Sequence, residues 1–148
     1  MPFHFSLQAL LRLRISYERL EELRLLAITA LMVYVRREIA AIQAESKQAQ
    51  SRRERELARG VTGAELHVEE TCDQARKKQR ESLEGRLKEL EKKRRAQQLA
   101  FEAARQKRKI LENFRQRKLE LYAREQARRE QQRLDELHLL HQAGKLRE

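Results

Sequence analysis

"RGVTGAEL", residues 59–66, is the stretch that decides the fold. Two of the four glycines, Gly60 and Gly63, fall inside it, and nowhere else do two stand close together. Glycine enters the left-handed backbone conformation that closes a helix without steric penalty, so Gly60 marks a stop. Thr62, followed three residues on by Glu65, has the form of a capping box, in which the two side chains satisfy backbone N–H groups that the first helical turn leaves free. One helix therefore ends near residue 59, a turn covers 60–63, and a second helix starts at about 64.

On both sides of the turn the sequence reads as helix. Charged residues make up 39% of the 148 and aromatics only 5%, the single proline is Pro2, and tryptophan is absent. The 40% apolar share leans on alanine and leucine, strong helix formers that suit long helices better than a compact globule. Upstream of the turn, Leu25, Ile28, Met32, Val35, Ile39 and Ile42 recur at alternating spacings of three and four, the seam of a coiled coil, and such a seam needs a partner helix. A second stripe, Leu10, Leu13, Tyr17, Leu20, Ala27, Leu31 and Tyr34, is rotated slightly from the first, so the segment 25–35 is apolar on more than one face. Downstream, Leu83, Leu87, Leu90, Ala96, Leu99, Ala103, Ile110 and Phe114 form a sparser stripe interrupted by basic residues.

Folding the two helices antiparallel about the turn sets Ile39 near Leu83 and Leu87, Val35 near Leu87 and Leu90, and Met32 near Leu90. It also sets Ile28 near Ala96, Leu25 near Leu99, Leu13 near Ile110 and Leu10 near Phe114. This match of stripes is independent of the glycines that place the turn. It predicts an all-α fold in which two long helices form an antiparallel coiled-coil hairpin, one domain over residues 1–148 with helices at about 7–59 and 64–142. The helices are unequal. Beyond about Lys118 the second has no first helix beside it, yet Leu119, Leu121, Tyr122, Leu134, Leu137, Leu139 and Leu140 continue its apolar content. An exposed apolar helix face of this kind points to a binding surface.

Lys and Arg total 34 against 23 Asp and Glu, a net charge of +11. Residues 92–118 hold eleven basic and two acidic side chains, so this segment alone carries +9 and suits an acidic partner surface. Phosphate backbones attract such a charge whatever the sequence. Only Phe101 and Phe114 interrupt the segment as aromatics, however, and no recognition motif accompanies it, so nucleic acid is not the expected partner. The single cysteine, Cys72, forms no internal disulfide, which fits a reducing, cytoplasmic setting. The longest apolar run, "LLAITALMVYV" at 25–35, falls well short of the roughly 20 residues of a membrane span. The start of the chain lacks the basic region and small-residue cleavage site of a signal peptide.

Little in the sequence suggests catalysis. The glycines stand at 60, 63, 85 and 144 with no Lys-Ser or Lys-Thr pair after them, so there is no phosphate loop. Serine, cysteine and histidine never cluster in a nucleophilic arrangement, and a helical hairpin offers no enclosed pocket around one. His138 and His141, three apart on a helix, make at most half a metal site. The expectation is a chain without catalytic residues, cofactor or metal.

The two ends carry a family resemblance. "FHFSLQALLRLRISYERLEELRLLA", through Phe3, Phe5, Leu7, Leu10, Leu11, Arg14 and Glu18, resembles the opening of flagellar FliJ proteins. "RKLELYAREQARREQQRLDELHLLH", through Glu130, Leu134, Asp135 and Glu136, is similar to their closing helix. The resemblance implies a soluble component of the flagellar type III protein export apparatus, without catalysis of its own, that supports flagellum assembly and motility. Such a protein acts as a central stalk: it enters the pore of the hexameric flagellar export ATPase, faces the export gate membrane protein with its other end, and hands on export chaperones. It implies a cytoplasmic location, peripheral to the inner face of the cell membrane. The partner-binding residues expected on this basis are Leu7, Leu10, Leu11 and Arg14 at one end and Leu134, Asp135, Glu136 and Leu137 at the other. The stalk of a virulence type III secretion system and a nucleic-acid-binding helical rod are the alternatives.

Overall fold

The structure, a computed structural model, describes residues 2–147. It is an all-α hairpin of two helices, α1 (Gln8–Arg59) and α2 (Gly63–Arg147), with no strand among the described residues. Between them Gly60 takes the left-handed conformation at φ +92°, which ends α1 where the glycine predicts. The Thr62 hydroxyl accepts a hydrogen bond from the Glu65 backbone N–H at 3.3 Å, and the Thr62 carbonyl accepts one from Leu66 N–H at 3.2 Å. Thr62 is thus the N-cap, and α2 begins at Gly63, one residue earlier than expected. At the far end α2 runs through Gly144 to Arg147 rather than stopping near 142. One glycine weakens a helix without breaking it, and Lys145 and Arg147 in the last turn face the negative end of the helix dipole.

Packing gathers the chain into two compact units, Arg19–Glu102 and Met1–Glu18 with Ala103–Glu148. In the Arg19–Glu102 unit the core is Met32, Val35 and Leu90, with Ile28, Ile39, Leu83 and Leu87 packed on it. Ile42 and Ala49 continue the buried row on α1. The three- and four-residue spacing read from the sequence is the seam observed here, because a repeat averaging 3.5 residues keeps one stripe against a neighbour about which the helix winds. Burying each of the large core side chains contributes about 1.5–3 kcal/mol, which is what holds two highly charged helices together.

The same spacing continues toward the turn with ionised residues. Arg53, on the α1 seam, donates from Nε to a Glu69 carboxylate oxygen at 3.3 Å and also pairs with Asp73, which in turn pairs with Arg76. In the other direction, the Gln97 side-chain amide donates to the Glu21 backbone carbonyl at 3.0 Å and to the Glu21 carboxylate. Arg53 meeting Glu69 while Glu21 meets Gln97 is the antiparallel order expected of a hairpin. Polar groups that find partners in only one alignment penalise a slipped seam, where they would lie against leucine.

Several pairings expected on the sparser part of α2 are not the ones observed. Leu99 and Ala96 are exposed, and the half-buried positions of α2 in this unit include Leu83, Leu87, Arg94, Gln97 and Phe101. Reading only apolar residues misplaces the seam here, because Arg94 and Gln97 occupy it.

Candidate partner-binding surfaces

The unit of Met1–Glu18 and Ala103–Glu148 contains every residue that the sequence nominates for partner binding. Its inner seam is set by Leu11, Arg14 and Glu18 on α1 and by Ala104, Arg108, Leu111 and Arg115 on α2, all buried or half-buried. Leu10, Leu13 and Ile110 are exposed, so the expected pairs Leu13 with Ile110 and Leu10 with Phe114 do not form the packing. The reason is again that charged residues sit on the seam. The Arg108 guanidinium donates to both carboxylate oxygens of Glu18, one at 3.1 Å from Nη2, and a further Nη donates to Glu112. These hydrogen bonds, opposed by partial desolvation and reinforced by the positive charge of Arg108, hold the Glu18 carboxyl below the usual carboxylate range. They correspondingly raise the Arg108 guanidinium.

Residues before α1 decide where the paired region ends. Phe5 is buried, with its ring centroid 5.9 Å from that of Phe114, and Phe3 lies 5.6 Å from Tyr122, both pairs tilted. The Arg115 guanidinium stands 5.9 Å over the Phe3 ring and the Lys118 ammonium 5.4 Å over Phe114. Arg115 Nε also donates to the Gln8 side-chain oxygen at 3.2 Å. Tilted aromatic pairs and cation–π contacts of this kind each contribute on the order of 0.5–1.5 kcal/mol beyond simple burial. The segment from Phe3 to Leu7 thus lies against α2 and, with Phe114, Lys118 and Tyr122, rims an open groove of about 490 Å³.

This corrects the expected start of the unpaired helix. The sequence leaves Leu119 and Tyr122 without internal neighbours, whereas both are half-buried and Tyr122 packs on Phe3. Half-burial continues to Glu125 and Gln126, and every described residue from 127 to 147 is exposed. The signal was present in the sequence: Phe3 and Phe5, upstream of the first helix, are spaced to place rings on one side of an extended strand of chain.

The nominated residues divide accordingly. Leu11 is buried, so its side chain serves packing within the unit and is not free to meet a partner. Arg14 is half-buried on the seam, while Leu7 and Leu10 are exposed. Leu134 and Leu137 are 60% and 62% exposed, one helical turn apart on the same face. Asp135 accepts a hydrogen bond from the Gln131 side-chain amide at 3.1 Å, an i to i+4 contact within the helix, and Glu136 is exposed. Leu134 stands about 30 Å along α2 from Phe114, by the rise of 1.5 Å per residue, so the two nominated groups are two surfaces rather than one site.

The strongly basic segment is less free than its count suggests. Arg94 and Arg95 both pair with Glu91, and Arg108 is held between Glu18 and Glu112. Hydrogen bonds from Arg94 hold Glu91 below the usual range. Among the described residues no group of three or more His, Cys, Asp or Glu is placed to hold a metal ion, and Cys72 is exposed. No described helix is long and apolar enough to cross a membrane. No family model matches the chain, and no curated protein or solved structure does either.

Proposed function

We propose that this chain is a non-catalytic stalk of a flagellar type III export apparatus, which engages the hexameric export ATPase with the end of α2 and the membrane export gate with other surfaces. The observation that supports this reading best is the exposed helix from 127 to 147, which carries Leu134, Leu137, Leu139 and Leu140 with no internal partner among the described residues. A helix that extends past its neighbour by about six turns can enter a pore that a two-helix cross-section would not fit. Its leucines supply the apolar contact and its mixed charges keep it soluble before insertion. The FliJ resemblance at both ends of the sequence supplies the identity of the ring; export chaperones and a position at the inner face of the cell membrane follow from the same reading. Arg94 and Arg95 share the one carboxylate of Glu91, and Arg108 lies between Glu18 and Glu112, so part of the segment's positive charge is already compensated, which weighs against a nucleic-acid role.

The test is co-purification of the chain with the flagellar export ATPase of the same organism, with hexamer formation and ATP turnover as readouts. A stable complex with raised turnover supports the stalk. The double substitution Leu134→Ser and Leu137→Ser should remove association while far-UV circular dichroism stays unchanged. Binding that survives the double substitution would overturn the assignment of the α2 end as the ring contact.

A further inference from the structure

Within the Arg19–Glu102 unit, α1 carries two heptad stripes and α2 covers one. The uncovered stripe runs Leu20, Arg24, Ala27, Leu31 and Tyr34, all exposed, and ends at half-buried Glu38, at spacings of four, three, four, three and four. Leu31 is 43% exposed and Tyr34 56%, whereas their sequence neighbours Met32 and Val35 are fully buried against α2. Leu23, Leu26 and Val33 beside the stripe are exposed as well. A helix apolar on this much of its circumference is normally buried on more than one side, and a stripe with this repeat is shaped to receive another helix along its length.

Its charges indicate which helix. Only two ionised groups interrupt the stripe, a cation, Arg24, toward one end, which pairs with Glu21 on its own helix at 3.1 Å and stays exposed, and an anion, Glu38, at the other. A second copy of the same stripe laid antiparallel across it brings Arg24 opposite Tyr34 of the second copy and one turn from Glu38 of the second copy, and the two-fold repeats both contacts. The same alignment sets Ala27 against the larger Leu31, small against large. A parallel copy would instead place Arg24 on Arg24 and Glu38 on Glu38. Tyr34 and Glu38 stand one helical turn apart, and the neighbouring Glu38 carboxylate raises the Tyr34 hydroxyl above its usual range, so ring and acid lie side by side on the stripe as an acceptor for a guanidinium. Two copies of a chain of net charge +11 repel at most approaches, and the uncharged run from Leu25 to Val35 is where they meet without that cost.

We infer that this face of α1 is a homotypic interface, on which two copies of the chain pair antiparallel through Leu20, Ala27, Leu31 and Tyr34, with Arg24 of each against Tyr34 and Glu38 of the other. The interface is separate from the α2 end and does not depend on the export reading. The full-length chain is to be examined by sedimentation velocity over a micromolar to hundred-micromolar range, with circular dichroism on every variant. The wild-type chain should shift from monomer to dimer. Leu31→Glu should weaken the dimer by about 100-fold or more without loss of helicity, because it sets a carboxylate into the apolar contact with Ala27 of the other copy and Leu31 is exposed in the single chain. Arg24→Glu alone and Glu38→Arg alone should each be monomeric, since each sets like charges together, and an equimolar mixture of the two should dimerise. A wild-type chain that stays monomeric throughout overturns the inference and leaves the face to a different protein. So does a dimer indifferent to Leu31→Glu, or a mixture of the two charge variants that fails to pair.

Discussion

Two stretches of α2 carry the same residue at nearly the same spacing and have opposite fates. Leu83, Leu87 and Leu90 pack beneath α1, with Leu90 only 7% exposed, while Leu134, Leu137 and Leu140 lie open to solvent. Nothing in the side chains themselves differs. What differs is whether a second helix arrives, and this depends on how far the chain upstream of the turn reaches. A leucine stripe is therefore an offer of apolar surface; in the first case the chain covers it, and in the second no described residue does.

The most damaging way to probe this comparison is in the packed stretch. Met32→Ala should destabilise the hairpin by about 2–5 kcal/mol, because the side chain is fully buried and a two-helix core has few neighbours able to close the gap. Urea unfolding followed by circular dichroism measures it, and a loss under 1 kcal/mol would mean that the apolar seam is not what holds the helices together.

A smaller effect is expected at the charged part of the seam. The hydrogen bonds from Arg108 keep the Glu18 carboxyl below its ordinary range, so it binds fewer protons folded than unfolded. Its contribution is therefore fully present above the unfolded carboxylate range and is lost as pH falls through the lowered folded value. Stability measured from neutral pH downward should show this acid limb, and Glu18→Gln should flatten it. An unchanged acid limb in that variant would assign the loss to other carboxylates. At neutral pH, Arg108→Ala should cost on the order of 1–2 kcal/mol, since it leaves a partly buried carboxylate short of its donors.

Gly85 offers a change of the opposite sign. It lies inside α2 beside the packed leucines, and a Cβ there would meet nothing within 4 Å, so close approach of α1 is not the reason for a glycine. Gly85→Ala should stabilise by roughly 1 kcal/mol through helix propensity alone, read as a higher thermal midpoint. A destabilised variant would reveal a bend in α2 that alanine resists.

The smallest effect on stability belongs to the open stretch. Leu134→Ser with Leu137→Ser should change the unfolding free energy by no more than about 0.5 kcal/mol per site, since neither side chain has an internal neighbour to lose. A drop as large as that of Met32→Ala would erase the distinction between the two stretches. Taken with loss of ATPase association, the small drop would complete it.

Much of this was legible in residues. The glycine at 60 and the threonine at 62 located the turn to within one residue, because a left-handed backbone and an N-cap are local requirements with few solutions. The seam from Ile28 to Ile42 was legible for the same reason, as its period depends only on helix geometry. Beyond it hydrophobic periodicity fails where Arg94, Gln97 and Arg108 occupy seam positions, since it carries no signal for a half-buried ion pair or amide. The nominated surface suffered likewise: Leu7 and Leu10 are available and Leu11 is not, a distinction of one residue that rests on the rotation of α1 against α2.

The sequence by itself determined that the chain is helical, where it reverses, and which stripe of α1 seeks a partner, because those follow from backbone conformation and the 3.6-residue period. Only the tertiary structure decided that Phe3 and Phe5 fold back to cover Phe114 and Tyr122, that Glu18 and Arg108 share the seam, and that the unpaired helix begins at 127. Those outcomes depend on contacts between residues about a hundred positions apart, and no local rule of the chain encodes which of two equally spaced stripes will find the other.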